Sequence, residues 1–281
     1  MIKLVLSDLD NTLVPYGQPL VSERAIAAVH ALAEKGVRFA PASGRGIGDL
    51  RHYFRDDDAC VSTALTCDGL EIFVDGALAM SKPFAHDTLV RAARACAGVP
   101  GAGLVVFCES GGSRPYLVGM GDGTNPYLDN RQVFPFGYAP ADEVPEEPVV
   151  KTGVTFDAAQ CPAAELAERL GRACPELDFI LSIVDWFDIN PHGWSKADGV
   201  RILADELGIS LDEVVVFGDQ ANDLEMLELV PNSCAVANAV PAAAAAARWH
   251  IGDCADEAVA RAMEQICEVA GTDEPPAFMR G

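Results

Sequence analysis

Four short segments of the chain place acids, a hydroxyl or a lysine where an apolar run gives way to a turn or helix start. The first is Ser7-Asp8-Leu9-Asp10-Asn11-Thr12. An ordinary aspartate has a pKa of about 3.9, so Asp8 is expected to be an ionised nucleophile at neutral pH without a partner base. In the second, Ala42-Ser43-Gly44-Arg45, the Ser43 hydroxyl and the backbone freed by Gly44 suit phosphate oxygens as hydrogen-bond donors. The third centres on Lys196, at the predicted start of a helix. A lysine in a first turn opposes the helix dipole, a placement that is unfavourable unless an anion needs it. The fourth runs from Val214 to Asp223, an apolar strand leading into Asp219, Asn222 and Asp223. If Asp8, Asp10, Asp219 and Asp223 converge, they repel one another without a cation. Hard oxygen ligands, few in number and used with a substrate phosphate, are the Mg²⁺ pattern. Taken singly, each segment also reads as an ordinary turn, a surface lysine or, for Asp219, a helix cap.

The elements around these segments follow a βαβ rhythm. Residues 4–6, 37–40, 214–217 and 234–236 read as strands, and residues 22–35, 47–54, 196–207, 224–229, 241–247 and 255–269 as helices. Ser22 is the expected cap of the first long helix, Gly36 its stop, and Pro241 the first residue of a later one. Residues 271–281, with two prolines, read as a loosely attached tail. Between the two halves the texture changes to Gly and Pro-rich turns, with strands at 104–107, 149–156 and 179–184 and helices at 88–96 and 162–173. That pattern predicts a separate α+β domain inserted at 83–187 into an α/β core made of 1–82 and 188–281. In open α/β sheets, ligands collect at the carboxyl ends of the strands, where the first, second and fourth segments lie.

Composition narrows the class. Half of the 281 residues are hydrophobic, yet no apolar run reaches the roughly eighteen needed to span a bilayer. The formal charge of -22 argues against a nucleic-acid partner, which needs a basic face. It also means that a metal, a lysine and helix N-termini must supply the local positive charge for an anionic substrate. Nine cysteines without a C-x-x-C pair fit reduced thiols in a cytoplasmic compartment, and the histidines show no metal-ligand spacing. The oligomeric state is left open.

In this order the four segments resemble the motifs of the haloacid dehalogenase (HAD) superfamily of aspartate-nucleophile phosphatases. D-x-D-x-T is present as Asp8 to Thr12, S/T-G-R as Ser43 to Arg45, the lone lysine as Lys196, and G-D-x-x-N-D-x-x-M-L as Gly218 to Leu227. An insertion between the second and third motifs is similar to the Cof-type branch with a large α/β cap (subclass IIB), and Val236-Ala237-Asn238-Ala239 is similar to a segment that follows the fourth motif there. The chain departs from that pattern at Asn11, Ser43 and Cys67-Asp68-Gly69, and in lacking a glycine just after the lysine.

The resemblance implies a Rossmann-like parallel-sheet core with an inserted cap, and a Mg²⁺-dependent hydrolase that removes phosphate from a small phosphorylated metabolite, a sugar phosphate foremost. It assigns Asp8 as the nucleophile that forms an aspartyl-phosphate and Asp10 as general acid and base. Asp8, the Asp10 backbone, Asp219 and Asp223 would hold the metal, and Ser43, Gly44, Lys196 and Asn222 the phosphate. Arg114, Arg131 and Lys151 are candidate substrate contacts on the insertion. His192, four residues before Lys196, reads as a turn histidine. A phosphomutase on the same scaffold and a non-catalytic phosphate-ligand sensor are the alternatives.

Overall fold

A computed structural model describes residues 1–108, 114–120, 125, 128 and 137–280. The chain opens with β1 (Leu4–Ser7), α1 (Glu23–Glu34), β2 (Arg38–Pro41), α2 (Ile47–Tyr53), α3 (Asp58–Val61), β3 (Ala64–Thr66), β4 (Glu71–Val74) and β5 (Ala77–Ser81). It continues through α4 (His86–Cys96), β6 (Gly103–Phe107), β7 (Tyr116–Val118), β8 (Ala139–Ala141), β9 (Lys151–Thr155), α5 (Ala163–Ala173), β10 (Leu177–Ile183) and β11 (Trp186–Pro191). It closes with α6 (Lys196–Leu207), β12 (Val214–Gly218), α7 (Leu224–Leu229), β13 (Asn232–Ala235), α8 (Pro241–Ala246), β14 (Trp249–His250) and α9 (Ala258–Val269).

Two compact units result. One joins Met1–Ser81 to Ser195–Gly281, and the other is Lys82–Trp194. The return crossing falls at Trp194, beyond residue 187, because β11 pairs with both β9 and β10 and so carries residues 188–194 with the inserted unit.

The first unit is built on a five-stranded sheet in the order β14-β13-β12-β1-β2, parallel throughout. Side chains alternate across a strand. Accordingly Val5, Phe39, Val215 and Phe217 enter one core with Val29 and Leu32 of α1 and Met263 and Ile266 of α9. Leu4, Leu6, Val214 and Val216 enter the other with Val200 and Leu203 of α6 and Leu227 of α7. Apolar residues on both faces make the near-continuous hydrophobic strands typical of a parallel sheet covered by helices. A small antiparallel sheet, β3-β4-β5, completes this unit. The inserted unit carries a six-stranded sheet in the order β10-β11-β9-β6-β7-β8, antiparallel except for the β7–β8 pair.

Local signals behave as their chemistry requires. The Ser22 side chain accepts from the Ala25 amide at the start of α1, Gly36 takes a φ of 74° after its end, and Pro241 opens α8. The residue 271–281 tail differs from expectation. Met279 is buried, the Phe278 ring lies 6.1 Å from that of Phe217, and the Phe278 amide donates to Gln265 Oε1 at 2.9 Å. Two apolar side chains are enough to dock a segment whose prolines suggested a free end.

One close approach sets where α6 sits. Gly69 has a φ of 85°, and a Cβ built on Gly199 of α6 would stand 2.9 Å from its Cα. Only hydrogens at both positions let the helix reach this turn. Gly199→Ala is therefore expected to lower unfolding free energy by about 1–3 kcal/mol in urea titrations.

Candidate active site

The parallel register brings three of the four segments to one edge of the sheet. Ser7 pairs with Phe217 on one side and with Pro41 on the other, so the residues that follow each strand leave the sheet side by side. The Asp8 amide donates to the Phe217 carbonyl at 2.9 Å, which fixes Asp8 against the end of β12.

Lys196 enters the same place from the first turn of α6, where Asp198 Oδ2 accepts from the Ser195 amide at 2.9 Å. The lysine side chain is 1% exposed, and its Nζ donates to Asp8 Oδ1 at 2.6 Å and to Asp223 Oδ1 at 2.7 Å. Asp223 Oδ2 accepts from the amides of Asp219 and Gln220 at 3.0 and 3.1 Å, closing a 3₁₀ turn over Ala221–Asp223. Gln220 and Asp223 thus do the capping for which Asp219 was the alternative candidate. Asp219 instead points one oxygen at Thr12 Oγ1, which donates at 2.7 Å, while its Oδ2 is buried with no hydrogen-bond partner.

Burial dominates the electrostatics. It pushes the Asp8 carboxyl well above its ordinary value, with Asp223 and Asp219 adding to the rise and Lys196 opposing it. Burial, with the Asp223 charge, also moves Asp219 up to about 6, against the lowering hydrogen bond from Thr12. Lys196 goes the other way from a buried lysine, because Asp223, Asp8 and Asp68 hold its proton more strongly than burial expels it. The Asp8 carboxyl thus departs upward from the ordinary aspartate value, because burial and the neighbouring acids outweigh Lys196.

One oxygen each from Asp8, Asp219 and Asp223 lies within 4.8 Å of the others. Together with the unsatisfied Asp219 Oδ2, this all-oxygen set fits Mg²⁺. Asp10 contributes no side chain to that cluster. Its carboxylate is half exposed and receives both Nε and Nη2 of Arg45 at 2.8 and 2.9 Å, and the Arg45 guanidinium rests 4.5 Å over the Tyr53 ring.

Ser43 is buried, and its Oγ accepts from the Arg45 amide at 3.3 Å. Gly44 lies against Asp68, whose carboxylate oxygen would meet an added Cβ at 3.1 Å. Asn222 is exposed on the 3₁₀ turn. Of the candidate contacts on the insertion, Arg114 donates to the Tyr138 carbonyl, Lys151 sits 4.8 Å over the Phe107 ring, and Arg131 lies outside the described residues. His192 is paired with Asp178 at 2.8 Å in a turn.

Reading the sequence segment by segment missed four partners. Thr12 and Arg45 stand inside the quoted segments, but no spacing announces that they bind Asp219 and Asp10. Asp68 follows Cys67, and both take a positive φ of 53° and 52° that non-glycine residues avoid. Asn238 spans two loops, donating to the Asn11 carbonyl at 2.7 Å and accepting from the Cys254 amide at 2.9 Å.

Two outcomes follow from this geometry. Asn238→Ala should cost about 1 kcal/mol in urea unfolding, since both bonds bridge segments far apart in sequence. Asp219 gives a pH signature. Its raised value means that its contribution to stability is present below the unfolded-state value and is lost as pH rises through about 6. If a cation takes the place of that proton, Mg²⁺ should raise Tm more at about pH 7.5 than at about pH 5. An equal Mg²⁺ effect at both would remove Asp219 from the metal set.

The sequence profile of the haloacid dehalogenase-like hydrolases matches residues 5–263. The stress response protein YhaX of Bacillus subtilis is 37% identical over 94 residues, which are 34% of this chain and 33% of YhaX. The HMP-PP phosphatase of Cronobacter sakazakii is 28% identical over 92% of this chain and 94% of that protein. The solved structure of the HAD subclass IIB sugar phosphatase BT4131 superposes with a TM-score of 0.75 at 20% identity, covering 93% of this chain and 98% of the other. With the profile match running from β1 into α9, the chain belongs to the haloacid dehalogenase-like hydrolases.

Proposed function

We propose that this hydrolase is a Mg²⁺-dependent phosphatase that transfers the phosphoryl group of a small phosphate ester, a sugar phosphate foremost, to Asp8 and then to water. The observation that carries the reading is the buried ammonium of Lys196 between Asp8 and Asp223. A lysine so placed aligns the nucleophile and offers positive charge to a phosphate arriving at the same edge, against a chain of formal charge -22. Relatives named phosphatases, one of them a sugar phosphatase by name, support the class.

Each residue then has a task. Asp8 attacks phosphorus and becomes the aspartyl-phosphate. Asp10 protonates the leaving alcohol oxygen and afterwards takes a proton from the attacking water. Both Asp10 oxygens accept from the Arg45 guanidinium, a fork that orients the carboxylate while leaving each oxygen a second lone pair for these transfers. Ser43, the Gly44 backbone, Lys196 and Asn222 bind the remaining phosphate oxygens. Asp8, the Asp10 carbonyl, Asp219 and Asp223 hold Mg²⁺, whose charge offsets that of the transferring group when bound. The inserted unit, residues 83–187 by sequence and Lys82–Trp194 by contact, supplies substrate contacts as the cap.

The test is phosphate release from a panel of sugar phosphates, nucleotides and pyridoxal phosphate, with Mg²⁺ or with EDTA. Wild type is expected to release phosphate only with Mg²⁺, and Asp8→Asn to fold while losing at least about 10³-fold in kcat. Turnover without any bisphosphate activator excludes a mutase. Near-wild-type turnover by Asp8→Asn would overturn the nucleophile assignment.

A further inference from the structure

A second cluster of metal-ligating side chains lies elsewhere in the first unit. His30 on α1, Asp57 at the N-cap of α3 and Cys60 within α3 each bring one donor atom within 4.8 Å of the other two. Asp57 and Cys60 are three residues apart across a helical start, the spacing that brings side chains to one side of a turn. Packing of α1 on α3 delivers His30 from a distant part of the chain. His30 Nε2 and Asp57 Oδ2 are 2.7 Å apart, and Asp57 Oδ1 separately accepts from the Ala59 amide at 3.1 Å. Cys60 is fully buried at the base of the cluster, while the His30 ring is half exposed at its mouth.

We propose that His30, Asp57 and Cys60 form a binding site for one borderline-soft divalent cation, with Zn²⁺ as the best fit, separate from the all-oxygen cluster at Asp8. The donor set decides the class. Imidazole, carboxylate and thiolate together are zinc ligands, whereas Mg²⁺ takes oxygen donors and dehydrates reluctantly. Zinc bonds of about 2.0–2.3 Å in a tetrahedron put ligand atoms about 3.5 Å apart. The three donors reach that spacing by small side-chain rotations, since they already lie within 4.8 Å.

Binding opens the His30–Asp57 hydrogen bond, and the thiol proton of Cys60 passes to solvent as the sulfur–metal bond forms. Burial, with the Asp57 charge, pushes that thiol up to about 12 in the absence of a metal, so the cation must supply the charge that makes the thiolate favourable. Water takes the fourth position on the exposed side. Asp57 Oδ1 stays on the Ala59 amide throughout, so the α3 cap survives. The result is a clip between α1 and α3, two elements more than twenty residues apart in sequence.

The readout is spectroscopic and needs no substrate. The full chain, held reduced and with Mg²⁺ in excess to occupy the oxygen cluster, is titrated with Co²⁺. A thiolate-to-Co²⁺ charge-transfer band is expected to saturate at one equivalent and to be displaced by one equivalent of Zn²⁺. Cys60→Ser should abolish the band, and His30→Gln and Asp57→Asn should weaken binding at least about tenfold. Asn keeps the α3 cap and His30 is half exposed, so these two variants report even where Cys60→Ser fails to fold. Absence of the band in wild type, or a band undiminished in both His30→Gln and Asp57→Asn, would overturn the site.

Discussion

The Lys196 ammonium, buried between Asp8 and Asp223, is the interaction on which the rest of the core unit depends. Removing charged groups from water is costly, and their mutual attraction repays that cost only where the geometry is good and the remaining hydrogen bonds are satisfied. Much of the local structure serves that purpose. The Asp198 carboxylate caps the turn that carries Lys196, and the Gly69–Gly199 approach lets α6 lie deep enough for the lysine to reach. Two backbone amides fix the remaining Asp223 oxygen. Gly218 has no room for a side chain, because a Cβ there would stand 2.7 Å from that of Asp223. The imbalance left by one ammonium among several acids gives the unsatisfied Asp219 oxygen its meaning, as a place prepared for more positive charge.

Most of the core architecture was legible because it follows from periodicity and local capping. Ser22, Pro241 and the Lys196–Leu207 helix are read from side-chain chemistry within a few residues, and the structure has each in the expected role. Three of the four chemical segments follow apolar strands of a parallel sheet, which brings strand ends together, and the fourth, Lys196, opens α6. What stayed hidden depends on pairings between distant residues. The Arg45–Asp10 fork joins positions 35 apart, Asn238 joins Asn11 across 227, and His30 meets Asp57 across 27. The statement that the histidines show no ligand spacing was true of the sequence and blind to this last pair. β3 and β14 escaped because they span only three and two residues, and β5 because its side chains are mostly exposed and give no alternating apolar face. The upward shift at Asp8 was not legible because an ordinary pKa belongs to a solvated carboxylate, and this one is 7% exposed.

The order of the parallel sheet, β14-β13-β12-β1-β2, bears on how the protein is made. β1 is made before the other strands of this sheet, yet it has neighbours on both sides, and one of them, β12, begins only at Val214. Through the synthesis of some two hundred residues, that edge of β1 has no partner, and its apolar side chains lack half of their cover. The inserted unit is translated and free to fold within this interval. The acids at the ends of β1 and β12 also come together only then, after Lys196 has been made. The order in which Asp8, Lys196 and Asp219 become available to the cluster is thus set by their places along the chain.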